Sequence, residues 1–110
     1  MVFDFDQMQR QTLSHFKGGE GALLAEMYAD GHNRILRGRL APGSTVGLHT
    51  HEGSSEIIYV LSGTGSVLYD GQEETVRPGQ CHYCPEGHAH TLRSMGSEDL
   101  VFFAVVPQHG

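Results

Sequence analysis

The chain has 110 residues, a net charge of −6 with neutral histidines, 38% hydrophobic and 18% charged residues. That length supports one domain with a real core, the composition argues against a disordered chain, and the acidic balance argues against a nucleic-acid partner. No stretch approaches the ~20 apolar residues of a membrane span, the start MVFDFDQMQRQ lacks the features of a secretory leader, and two cysteines make no disulfide scaffold, so a reduced, cytoplasmic protein without a membrane partner is expected.

In chain order, residues 1–21 are mixed. One short helical turn is expected around Asp6–Leu13, and Lys17–Gly21 reads as a loop. Phe3, Phe5, Leu13 and Phe16 have no obvious use unless this segment packs on a barrel or on a partner. From Ala22 onward the chain reads as short strands punctuated by turn signals. They are Ala22–Ala29, Arg34–Leu40, Thr45–His51, Glu56–Ser62, Ser66–Tyr69 and Glu73–Val76, then QCHYC, HAHTLRS and the fully apolar Leu100–Val106. Asp70-Gly71 between two of them is a strong hairpin signal.

No window after residue 20 follows a 3.6-residue period. Strands at intervals of about ten residues indicate an all-β sandwich or barrel. There is no internal repeat and no linker, so a single domain is expected over 1–110, with the barrel core at about 22–106. Exposed sheet edges and an apolar outer face need cover, which points to a homodimer.

Eight histidines are the oddity of the composition. On a strand His49 and His51 share a face, with Cα atoms about 6.5–7 Å apart. Two imidazoles so placed can converge on one ion at roughly 2.0–2.1 Å. The turn after His51 can bring Glu56 back beside them, and His90 opens another strand far along the chain.

Taken singly, each has a plainer reading: a half-exposed strand for His49 and His51, a solvated strand start for Glu56, a turn for His90. The four together could also form a polar cavity lining filled with water. Their combination carries the metal reading. His15 and His109 read as solvated terminal residues and His32 as a turn residue. His88 shares a face with His90, as an outer partner or a rim residue. His82 lies in a strand whose two faces are equally open to it. Cys81 and Cys84 spell C-x-x-C, but three residues of strand span ~10 Å. That exceeds the ~7 Å reach of a disulfide, so two free thiols are expected.

These residues resemble the cupin superfamily. Its first motif, G-x5-H-x-H-x(3,4)-E-x6-G, is met by Gly43, His49, His51, Glu56 and Gly63. Its second, G-x5-P-x-G-x2-H-x3-N, is met by Gly79, Pro85, Gly87 and His90, with Ser94 in place of the usual Asn. The resemblance spans Gly43 to Ser94, about half the chain. It implies a double-stranded β-helix (jelly-roll) barrel, usually dimeric. It also implies one divalent metal ion (Mn, Fe, Ni, Zn, Co or Cu) held by His49, His51, Glu56 and His90; this ligand set suits several borderline ions.

Two classes of function follow from the resemblance. One is a small metal-dependent enzyme of dioxygenase, isomerase, lyase or decarboxylase type. It would act on a small oxygenated, carboxylate or sugar-like substrate. The other is a non-catalytic metal-dependent module that binds or senses a small molecule; the fold alone does not choose. Candidate catalytic residues are His82, Tyr83 and His88, with Cys81, Tyr59 and Arg34 also of suitable type. Arg34, Arg37 and Arg39 form a basic stretch that reads as a solvated face or as a contact for an anionic substrate.

Overall fold

The computed structural model describes residues 1–109. It holds ten strands: β1 (Gln11–Ser14), β2 (Ala22–Ala29), β3 (Asn33–Leu40), β4 (Thr45–Thr50), β5 (Glu56–Ser62), β6 (Gly65–Tyr69), β7 (Gln72–Val76), β8 (Cys81–Cys84), β9 (Ala89–Ser94) and β10 (Leu100–Pro107). They form two antiparallel sheets, one in the order β1-β2-β3-β10-β5-β8 and the other β4-β9-β6-β7. This is the jelly-roll barrel that the family resemblance implies, and it meets the all-β expectation from the strand pattern.

Strand parity builds the core. In β3, Leu36 and Leu40 point inward while Ile35, Arg37 and Arg39 point outward; in β5, Ile58 and Val60 point inward. Leu40, Ile58, Leu100 and Phe102 are almost fully buried, each burial being worth about 1.5–3 kcal/mol. The β6–β7 hairpin turns at Asp70 and Gly71, with φ of 47° and 81° and Tyr69 opposite Gln72. Two left-handed residues in a row are the I′ geometry that Asp-Gly favours.

The N-terminal segment departs from the expected helical turn. Phe5–Gln7 is a single 3-10 turn, a second lies at Phe16–Gly18, and Gln11–Ser14 between them is a strand paired to β2. The outer edge of β2 would otherwise present unpaired backbone groups, and that pairing outweighs local helix preference. Phe3 packs against Tyr28 at 4.7 Å and Phe5 meets Phe103 at 6.2 Å on the outer face of the large sheet. Arg37 ties the segment down through Asp6 at 2.7 Å and Glu26 at 2.8 Å. Cys81 is exposed, Cys84 is buried, and both are free thiols, as their opposite strand parity requires. Among the described residues no helix is long and apolar enough to cross a membrane.

Candidate metal centre

A β-bulge sets up the site. The β4–β9 register shifts between Val46 and His49. Across three residues of regular strand these two side chains would point to opposite faces. The extra residue re-aims the strand, so that both line the cavity while Leu48 points out, 64% exposed. Gly47 sits in the bulge because nothing larger fits: an added Cβ would lie 2.0 Å from the carbonyl oxygen of Lys17.

His51 lies one residue beyond β4. Its N–H donates to the His88 carbonyl at 3.1 Å, and its carbonyl accepts from Gly87 N–H at 2.7 Å. The β4–β9 connection therefore continues past the strand end and holds His51 inward, 7% exposed. Glu56 opens β5, and His90 in β9 stands directly opposite His49. Gly63, which closes the first motif, has φ of 80°, and a Cβ there would lie 2.3 Å from the Asp99 carbonyl oxygen, so only glycine turns the chain at that point.

The four side chains converge. His49 Nε2 lies 3.2 Å from Nε2 of both His51 and His90, and those two lie 2.9 Å apart. Glu56 Oε1 is 3.1 Å from His51 Nε2 and 3.0 Å from His90 Nε2. All four donors fall within 4.8 Å of one another, and His49 and Glu56 alone make no direct contact. Two donors at right angles around an ion at roughly 2.1 Å stand about 3.0 Å apart. Five short edges and one wide one would suit a single ion held by these four donors.

The other ring nitrogens are held from behind. His49 Nδ1–H donates to the Gly47 carbonyl at 2.7 Å, which can only accept. That fixes the tautomer and leaves Nε2 as a bare lone pair. His51 Nδ1 meets Ser54 Oγ at 3.1 Å and His90 Nδ1 meets His82 Nε2 at 2.9 Å. Burial and the neighbouring His90 depress the His49 pKa and keep the ring neutral. Burial would raise the Glu56 carboxyl, but the His51 and His90 rings that face it hold it down to about 2. Converging lone pairs beside an ionised carboxylate repel one another, and a divalent cation is the group that relieves them.

The cluster opens into a cavity of about 280 Å³. Its walls are about half apolar, with Leu36, Ile58, Leu92 and Phe102 on that side. Lys17, Arg34, Glu52 and Gln108 supply polar groups beyond the cluster. The three candidate catalytic residues do not line this cavity. His82 is buried behind His90 with burial holding its pKa down at about 4, and Tyr83 points outward, 55% exposed. His88 Nδ1 pairs with Asp70, and the Tyr69 hydroxyl oxygen lies 3.2 Å from the same nitrogen. Neither cysteine reaches the cavity, and Tyr59 faces outward at 42% exposed. His15, His32 and His109 also lie outside it. Of the arginines, only Arg34 lines it. The partners Gly47 and Ser54 escape a search for ligand types; a lone glycine inside a strand pattern was the available signal for the bulge.

A two-sheet barrel with a His3Glu cluster at one end of its cavity defines the class of protein. Residues 36–106 match the family model described as a cupin domain, and the chain belongs to the cupin family. It is 33% identical to an oxalate-binding protein of Thermotoga maritima, over 96% of this chain and 93% of that one. A solved structure described as a predicted oxalate decarboxylase, also from Thermotoga maritima, superposes with a TM-score of 0.92 at 31% identity, covering 98% of this chain and 99% of the other. KdgF from a Halomonas species shares the fold at a TM-score of 0.80 and 18% identity, over 99% of this chain and 94% of its own.

Proposed function

We propose that this chain binds one divalent metal through His49, His51, Glu56 and His90 and uses it to hold a small carboxylate in the cavity. The observation that carries the reading is the convergence of three ring nitrogens and a carboxylate oxygen at 2.9–3.2 Å, with each ring fixed from behind. The donor set suits Mn, Fe, Ni, Zn, Co or Cu. When bound, such an ion supplies a Lewis-acidic centre for carboxylate oxygens. The apolar half of the lining lowers the local dielectric, which strengthens charge interactions beside it. The relatives' names, oxalate-binding protein and predicted oxalate decarboxylase, support a carboxylate.

Turnover of the ligand is the second reading. It is favoured by Glu52, a cavity-lining carboxylate outside the donor cluster and so a candidate acid–base group. Two further features support the setting. The free thiols fit a reducing, cytoplasmic location. The outer face of β5, with Ile57, Tyr59 and Leu61, and neighbouring Tyr83 are apolar and exposed. A strand apolar on both faces is ordinarily covered on both, and a second copy of the chain supplies that cover as a homodimer. Light scattering should return twice 12.0 kDa; the monomer mass would remove the dimer.

The function is tested by titrating oxalate calorimetrically into metal-loaded and metal-stripped protein. Binding is expected only to the loaded form. Equal binding to both, or to neither, would overturn it. Release of carbon dioxide and formate from bound oxalate would decide for turnover.

A further inference from the structure

Strand parity sends the three arginines of β3 to different sides. Arg37 and Arg39 face outward and are held by carboxylates, Arg37 by Glu26 and Asp6 and Arg39 by Asp99 at 3.1 Å. Arg34 shares the parity of Leu36 and Leu40, faces the interior and lines the cavity. Among the described residues it makes no ion pair.

Its position relative to the cluster follows from the register. Arg34 is the Cα partner of Val106 in β10. On the other side of β10, Val105 faces Ile57, and Ser55 N–H donates to the Pro107 carbonyl at 3.2 Å, which places Val106 beside Glu56. Glu56, Val106 and Arg34 thus form one row across three neighbouring strands. Strands lie ~4.8 Å apart, so the outer two Cα atoms are about 10 Å apart. Val106 between them is small and 8% exposed. An arginine side chain is long enough to span much of that distance within the cavity that Arg34 lines.

Charge points the same way. The chain carries −6 overall, yet the charged groups lining the cavity are Lys17, Arg34, Glu52 and Glu56. With a divalent ion bound, this lining is net positive. A monoanion on the metal would leave the guanidinium without a counter-charge beside apolar walls, which is unfavourable. A second carboxylate matches its planar fork and can bind it bidentately.

We infer that Arg34 is the second anchor of the cavity ligand, and that the ligand is a small dicarboxylate dianion, one carboxylate at the metal cluster and the other on the guanidinium. This rests on the metal-and-carboxylate reading above and adds a residue and a charge state to it.

The test uses full-length, manganese-loaded wild type, Arg34→Gln and Arg34→Lys, each assayed for metal content. Each is titrated with oxalate, malonate and monomethyl malonate, the last matching malonate with one charge removed. Wild type should bind malonate at least tenfold more tightly than its monoester. Arg34→Gln should keep its metal, lose tenfold or more in dianion affinity and change less than twofold toward the monoester. Arg34→Lys, which keeps the charge without the fork, should recover part of the loss and guards against a folding defect in the Gln variant. Unchanged malonate affinity in Arg34→Gln would overturn the inference, and so would equal losses for malonate and its monoester. If loaded wild type binds none of the three, the carboxylate reading itself falls; if it binds all three without preference, only the role of Arg34 does.

Discussion

His51 stands 3.1 Å from Glu56 with side chains 8% and 14% exposed, whereas His88 pairs with Asp70 with both side chains 43% exposed. Each pair sets an imidazole against a carboxylate, but their surroundings differ. Asp70 accepts from His88 and from Ala89 N–H at 3.2 Å, and those bonds hold its pKa below the usual carboxylate range. That pair satisfies itself and is open to solvent. Around Glu56, two further rings bring lone pairs that have no proton to share. A histidine–carboxylate contact is therefore a surface ion pair where donors and acceptors balance. It is a candidate metal centre where acceptors are in excess and water is kept out.

The largest expected effect breaks that comparison directly. His90→Ala should lose metal affinity by more than a hundredfold, and with it the metal-dependent gain in stability, about 2.7 kcal/mol at a metal concentration 100 times Kd. His88→Ala, two residues away, should keep its metal. Elemental analysis and thermal melts with and without metal read both, and equal losses would mean that the two clusters are one centre. The pH dependence has a definite sign. Ligation needs neutral rings, and the His49 pKa is lowered, so its ring stays neutral below the usual titration point of ~6.5. Occupancy should therefore persist as pH drops through that point and be lost only at lower pH.

A smaller effect sharpens the comparison through His82, which touches no ligand and acts through His90. For His90 to present Nε2 as a lone pair, Nδ1 carries the proton and donates to His82 Nε2. His82→Phe fills similar space without an acceptor and should weaken metal binding about 10–100-fold. His82→Gln places an amide oxygen near the lost nitrogen and should recover most of it. Chelator competition measures both. No loss in the Phe variant would show that packing alone positions His90.

The strands and the site were legible to different depths. Glycine-punctuated apolar runs marked nine strands, and spacing marked His49, His51, Glu56 and His90 as one set. The tenth strand, Gln11–Ser14, was hidden because its partner, the edge of β2, is supplied by tertiary pairing and not by its own residues. His49 faces the cavity only because of the bulge at Gly47; uninterrupted alternation would have set it opposite Val46. The parity that separates Arg34 from Arg37 and Arg39 was visible, but which side was inside depended on β10. His82 had no preferred face until β8 was placed on the edge of the large sheet, against β5.

The smallest effect is expected at Asp70, and two opposed terms set it. Asp70 has φ of 47° and Gly71 follows at 81°, an I′ turn in which Asn-Gly is at least as favourable as Asp-Gly. Asp70→Asn keeps a side-chain oxygen for Ala89 N–H but removes the charge facing His88. That ion pair is half exposed and screened by salt, so its loss is small. The variant's Tm should move by no more than about 2 °C in either direction. Its melting curve should respond less to added salt than the parent's, and its metal content should be unchanged. A fall of more than about 5 °C, or any loss of metal, would mean that the Asp70–His88 pair supports the centre through the turn that carries His88 and Ala89 into β9. The contrast between a self-satisfied surface pair and an acceptor-rich cluster would then fail at the one place where the two come within two residues of each other.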